Sequence, residues 1–268
     1  NPDGRFGSLG SGFTVSNPVP SITGIDPLSG PAGLSVNIYG SNFGATKGTS
    51  NLWIGNTATS TSWSNTQIVG IVQGAGGITV AVSTTAGKSN EVNFTVTSPN
   101  ITSLSPSIGP VGTTLIIYGQ SFSSTGGTVA VDGVNAVVSS WSDTQIIVTV
   151  PTGLSAGANK NVIVTTRAGY GSNPVSFTVR PNIVGINPSF GSVSAAVSIT
   201  GTGFGSSQGT SRVYFNGVDA GTGIPWSGVA ITPTVPMGAT TGPVVVMVNS
   251  IGSNSVDFTI APRVVSVS

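Results

Sequence analysis

The chain has 268 residues, of which 38% are hydrophobic and only 6% charged, with Lys+Arg 8 against Asp+Glu 7. A surface so close to neutral lacks the clustered cations that displace counterions from phosphates, which argues against a nucleic-acid binder. His 0 and Cys 0 remove the usual general base, thiol nucleophiles, disulfides and the strongest zinc ligands, so no catalytic site, cofactor or metal is expected.

Asn1 to Gly12 shows neither the basic start nor the apolar stretch of a signal peptide, which implies a mature or excised segment. No uninterrupted apolar run approaches the roughly 18 residues that a membrane helix requires, so no membrane span is expected. Gly 39 and Pro 17 without a collagen period, together with strings such as VNIYG, LIIYG and VVVMV, predict many short strands joined by tight turns and no helix.

One pattern of elements recurs along the chain. It opens on Pro20-Ser-Ile22-Thr-Gly-Ile25-Asp-Pro27 and returns as Pro99 to Pro106 and Pro181 to Pro188, while Pro262-Arg-Val264-Val265-Ser-Val267 begins it again. From Ile22 to Ile101, Ile183 and Val264 the spacings are 79, 82 and 81 residues. That period is the size of one β-sandwich domain and far too long for a solenoid turn. Next comes a bend, Gly40-Ser-Asn-Phe43-Gly44, matched by Gly119 to Phe122 and Gly201 to Gly205, where glycine is expected to free the backbone and the Phe to plug the end of a core. A hairpin follows at Gly55-Asn56, Asp132-Gly133 and Asn216-Gly217, then a strand carrying Trp63, Trp141 or Trp226. Each repeat closes on Phe94 to Val96, Phe177 to Val179 or Phe258 to Ile260. Apolar positions alternate in these strands, leaving one face for a core and one for solvent.

These residues resemble the IPT/TIG immunoglobulin-like domains, in the version arrayed in tandem in bacterial surface and secreted proteins. The opening read from Pro20 to Gly33 and from Pro99 to Gly112 carries the likeness most specifically, supported by the glycine bend, the Asn-Gly hairpin and Ser140-Trp141-Ser-Asp143-Thr-Gln145. The third repeat departs, with Phe190-Gly191-Ser192-Val193-Ser194 after its opening and a loosened region around Trp226. The resemblance implies an all-β chain of tandem antiparallel immunoglobulin-like sandwiches in a linear array. Its domains are expected at 19–97, 98–180 and 181–261, with the last hairpin of a preceding repeat at 1–18 and the first strand of a following one at 262–268.

Phe13-Thr14-Val15 aligns with a closing strand and Val264, Val265 and Val267 with an opening one, so these segments read as parts of a longer array. A sharper expectation is that neighbouring copies hold them, because unpaired edge strands add readily to another sheet.

Internal alignment bears on the carboxylates. Asp132 corresponds to Asn216, Asp143 to Asn65, Asp219 to Asn135, and Asp257 to Asn93 and Ser176, exchanges that suit turns and not a general acid paired with a base. Trp63, Trp141 and Trp226 recur at one position and read as rings packed along the sandwich. Trp53 and Tyr214, flanked by Leu52 and Ile54 or Val213 and Phe215, are expected to point outward, where they could meet a sugar or a neighbouring subunit. Asn93-Phe-Thr95 and Asn100-Ile-Thr102 match the glycosylation acceptor pattern at strand or linker positions.

The expected role is a non-catalytic structural or adhesive segment of an extracellular or cell-surface protein or filament. Its partners would be neighbouring copies or adjacent domains. The rival expectation is a carbohydrate-binding accessory array of a secreted polysaccharide-degrading enzyme, with glycans as partners.

Overall fold

A computed structural model describes residues 17–262. No helix occurs among the described residues. The chain divides into two units, one ending at Thr97 and the other beginning at Ser98.

In the first unit the strands are β1 (Ser21–Asp26), β2 (Ser29–Pro31), β3 (Ser35–Ser41), β4 (Asn51–Ile54), β5 (Asn56–Ala58), β6 (Ser60–Trp63), β7 (Gln67–Ile71), β8 (Gly76–Thr84), β9 (Gly87–Lys88) and β10 (Val92–Thr97). One sheet runs β1-β3-β7-β6 and the other β2-β10-β8-β4-β5, with β9 beside β8. The expected alternation is present: Val36 and Ile38, Leu52 and Ile54, Val80 and Val82, and Phe94 and Val96 turn inward between the sheets. Burying such a face drives the two layers together.

The second unit holds two sandwiches of the same plan with separate cores, one around Leu115, Ile117, Phe122 and Phe177, the other around Ile199, Phe204, Phe215 and Phe258. Two differences from expectation have local causes. The pairing is not purely antiparallel: Ser29–Pro31, Ile108–Gly109 and Phe190–Gly191 each run parallel to their repeat's closing strand. The chain steps from one sheet to the other just after the opening strand and keeps its direction, which places a parallel edge beside the last strand. In the third repeat the Trp226 strand is reduced to a single bridge with Ile231, leaving a three-stranded sheet. Gly221 and Gly223 at positive φ and Pro225 interrupt the ladder there.

The hairpins vary by one residue. Asp132-Gly133 (φ 50° and 80°) and Asn216-Gly217 (φ 42° and 84°) make two-residue turns, with Val131 opposite Val134 and Phe215 opposite Val218. In the first repeat Ile54 pairs with Asn56 around Gly55 alone.

The bend after the third strand is built differently from its sequence reading. None of Gly40, Gly119 and Gly201 has a left-handed φ. Glycine is required there by space, since a Cβ on Gly40 would lie 2.0 Å from the Ser21 carbonyl oxygen and 2.4 Å from the Phe43 ring. The phenylalanine does plug the core: Phe43, Phe122 and Phe204 are all fully buried. The recurring tryptophan locks it. The indole N–H of Trp63 donates to the Phe43 carbonyl (3.1 Å) and that of Trp226 to the Phe204 carbonyl (2.9 Å). That of Trp141 reaches the carbonyls of Phe122 (3.2 Å) and Ser123 (2.7 Å). Trp141 and Trp226 also meet their phenylalanines edge-on at 6.5 and 6.3 Å.

A second lock is a Ser-Asn pair before each closing strand. Asn90, Asn173 and Asn254 each accept from the backbone N–H of the opening isoleucine, at 2.8, 2.7 and 2.7 Å. Each also donates to that residue's carbonyl, at 3.0, 3.0 and 2.9 Å. The amide thereby closes the register shift that follows Ile22, Ile101 and Ile183. Replacing Asn173 with Asp keeps the shape but removes the donor and sets a carboxylate against the Ile101 carbonyl. Chemical denaturation is expected to show a loss of about 1–3 kcal/mol.

Candidate functional site

The sequence candidates separate in space. Trp53 lies on β4 opposite Thr57 and Ala81 and is 40% exposed, facing outward as expected. Gly55, Gly77, Thr79, Asn93 and Thr95 line a shallow depression on the same sheet. Tyr214 holds the equivalent outward register, opposite Asp219 and Val245, but is only half-buried and not open. The matching residue of the second repeat is Ala130, so no run of aromatics continues from repeat to repeat. Tyr39, 41% exposed on β3, belongs to the other sheet of the first repeat and does not extend the Trp53 surface. Phe13, Thr14, Val15, Val264, Val265 and Val267 lie outside the described residues.

The carboxylates do the work of turns. Asp143 accepts from the Ser123 backbone N–H at 2.9 Å, and its counterpart Asn65 does the same for Gly44 at 3.1 Å. Asp132 pairs with Lys160 at 2.6 Å, and Asp219 with Arg212 at 3.4 Å. No group of acidic residues that could hold a metal occurs among the described residues. The exposed Glu91 carboxyl is held below its ordinary value by a hydrogen bond and then by the charge of Lys88. A lowered carboxylate pKa contributes stability above the unfolded value near 4.5 and loses it as pH falls through the folded value. With no histidine, the thermal midpoint should change little between about pH 6 and 8. Lys88→Met should alter only the acid limb of a stability–pH profile followed by circular dichroism.

The most elaborately built feature outside the cores joins the second and third sandwiches. The loop after Val150 places Leu154 in the second core and, two residues later, Ala156 in the third, where Ala156 is 1% exposed. The Ala156 N–H donates to the Gly203 carbonyl at 3.0 Å. The side-chain amide of Asn249 donates to the Ala156 carbonyl at 2.9 Å. Gly203 sits at φ +75°, and a Cβ there would press on Pro181 and the Arg180 carbonyl at 3.2 and 3.3 Å, so glycine serves both the turn and the close approach. Leu154 and Ser155 face Gly203, Gly205 and Val229 across a cleft of about 390 Å³. Two hydrogen bonds and the entry of Ala156 into the third core join the two domains here. None of Leu154, Ala156, Gly203 and Asn249 was singled out from the sequence. The available signal is that the loop from Pro151 to Ala156 is longer than Gln73 to Ala75 and carries Leu and Ala where loops are usually polar.

Paired sheets of four and six, four and five, and three and six strands, repeated along the chain and tied by short links, define a tandem array of immunoglobulin-like β-sandwiches. The sequence model of the IPT/TIG domain matches residues 20–97, 99–179 and 181–260. The chain belongs to the IPT/TIG domain family, with three tandem domains across residues 20–260. No curated protein sequence matches it. Similar solved structures include one determined with a xylogluco-oligosaccharide, at 18% identity and TM-score 0.43, covering 90% of this chain and 60% of that one. The plexin A4 extracellular region is similar at 16% identity and TM-score 0.36, over 85% of this chain and 22% of plexin. The surface glycan-binding protein PbSGBP-B of Prevotella bryantii is similar at 16% identity and TM-score 0.39, over 60% and 41%. The chain spans less than two thirds of the length of each.

Proposed function

We propose that this chain is a non-catalytic structural and adhesive segment of an extracellular surface protein or filament, acting as a semi-rigid spacer with neighbouring domains or copies as its partners. The joint at Ala156 carries this reading. A loop that is buried in the next domain and bonded at both its N–H and its carbonyl transmits orientation, whereas a flexible linker would not. The low charge fits dense packing of such segments, because like surfaces repel weakly.

Backbone ¹⁵N relaxation on the full chain tests the reading. Amides of the second and third domains should report one rotational correlation time. Asn249→Ala, which removes a bond contributing about 0.5–1.5 kcal/mol, should begin to separate them. Distinct correlation times in the unsubstituted chain would remove the spacer reading.

Exposure of Trp53 beside a polar depression favours one competing role, binding of a glycan by stacking. Retention of the chain on insoluble polysaccharide, lost in Trp53→Ala, would establish it in place of the spacer. The structural reading expects no retention.

A further inference from the structure

The acceptor pattern Asn93-Phe94-Thr95 plays no part in the joint, and its surroundings differ from those of the second pattern at Asn100. Phe94 is 1% exposed between the sheets of the first domain, which turns Asn93 and Thr95 together onto the outer face of β10, where both are exposed. Glu91, two residues earlier, is exposed as well, so a carboxylate, an amide and a hydroxyl follow one another in a row. β2 pairs with β10 only from Thr95 onward, which leaves the sheet edge open beside Asn93. The other pattern is engaged in its own domain. Asn100 is half-buried and pairs with Gln120, and the Thr102 hydroxyl donates to the Tyr118 carbonyl at 3.1 Å. Asn187-Pro188-Ser189 is ruled out by its proline.

The face beside Asn93 has room for a bulky group. Asn93 stands opposite Thr79 on β8, and with Gly55 and Gly77 these residues line the shallow depression, about 660 Å³ in volume. A Cβ on Gly77 would meet nothing within 4 Å, so the space above β8 is open. Trp53, opposite Ala81, lies two strands across and two residues along, about 12 Å from Asn93 at the usual strand spacing and rise. A sugar chain rooted at Asn93 would have a trough to lie in and an exposed ring in its path. Phe-Thr recurs in all three closing strands, but the residue before it is Ser176 in the second and Asp257 in the third. Only the first domain presents the acceptor amide there.

We infer that Asn93 is a site of N-linked glycosylation, with a polyprenyl diphosphate-linked oligosaccharide as the donor. The Asn93 amide nitrogen bonds to the anomeric carbon of the first sugar and gives up one proton. The bond from that carbon to the diphosphate oxygen breaks, and the diphosphate departs on its lipid carrier. A glycan is bulky and solubilising, which suits a chain with only 6% charged residues. Such donors act on exported chains, so the inference rests on the extracellular placement in the proposed role.

Glycopeptide mass spectrometry of the full chain, recovered from the cells that make it, tests the inference. The tryptic peptide from Ser89 to Lys160 holds both acceptor patterns, and fragmentation that leaves the glycan attached assigns it to one asparagine. Asn93 should carry the oligosaccharide and Asn100 should be bare. Asn93→Ser installs the residue of the second repeat, and Thr95→Val keeps the amide but removes the hydroxyl that the acceptor pattern requires. Each should abolish the added mass, while Asn100→Gln should leave it unchanged. A bare Asn93, a glycan on Asn100 in its place, or added mass that survives Thr95→Val would overturn the inference. The unsubstituted chain decides the first two outcomes, so a variant that fails to fold does not shield the inference. A bare Asn93 would leave the relaxation result on the joint untouched, so the two readings fail separately.

Discussion

Phe122→Ala is expected to lower the stability of the second domain by about 3–5 kcal/mol, as measured by chemical denaturation. Three contributions point the same way. The ring is fully buried among Leu115, Ile117 and Ile146 at the end of the core, and its loss leaves a cavity that flanking strands cannot fill. Trp141 meets its edge at 6.5 Å with an interplanar angle of 65°, a contact that disappears with the ring. The indole N–H also binds the Phe122 and Ser123 carbonyls, so a relaxed backbone there loosens the tryptophan as well. Intrinsic fluorescence of the folded variant should therefore shift along with its midpoint. A cost below about 1 kcal/mol would mean that the bend and not the ring organises this end of the sandwich.

Gly119→Ala should be nearly as damaging, at or above the upper end of the roughly 1–3 kcal/mol typical of overpacking. A Cβ at Gly119 would stand 2.2 Å from the Asn100 carbonyl oxygen and 2.3 Å from the tip of the Phe122 ring. The carbonyl belongs to the opening strand, so moving it breaks sheet pairing between Ser105 and Asn100 on one side and the third strand on the other. Because half of the clash is with Phe122, Gly119→Ala combined with Phe122→Leu should cost less than the sum of the two singles. The coupling is expected within the range of about 0.5–3 kcal/mol seen for contacting residues. Gly171→Ala is the control: nothing lies within 4 Å of a Cβ there, and the change should stay within about 0.5 kcal/mol. Additivity of the pair would show that the two residues do not share one constraint.

Much of the architecture was legible because it rests on short-range rules. Alternation in Leu52-Trp53-Ile54 or Val213-Tyr214-Phe215 declares which side faces a core, and the repetition of Phe43, Phe122 and Phe204 after a glycine marks the plug. The residues hidden from a sequence reading act across long separations. Asn173 is 72 positions from the Ile101 backbone that it clamps, and Asn249 is 93 from Ala156. Ser-Asn is an ordinary turn dipeptide, and nothing in its composition says that its amide closes a distant strand. The bend glycines were recognised, but flexibility and lack of space leave the same letter in the sequence; only the neighbouring carbonyl and ring distinguish them. The parallel edge strand escaped notice for a related reason: two or three residues are too few for a pattern, and their direction follows from where the chain changes sheets.

The candidate site was read less well than the fold. Trp53 faces outward as its flanks require. The loop whose Leu154 and Ala156 enter two different cores has no such flanking pattern to declare it. The proposed spacer role requires a fixed joint between the second and third domains, and a distance measurement across it is the most direct test. Nitroxide labels at Asn135→Cys in the second domain and Ser255→Cys in the third, both exposed positions in a chain with Cys 0, would report that distance by pulsed dipolar spectroscopy. A fixed joint gives a single narrow distribution for the otherwise unsubstituted chain and a broad one when Ala156→Asp is added. A broad distribution before that substitution would contradict it.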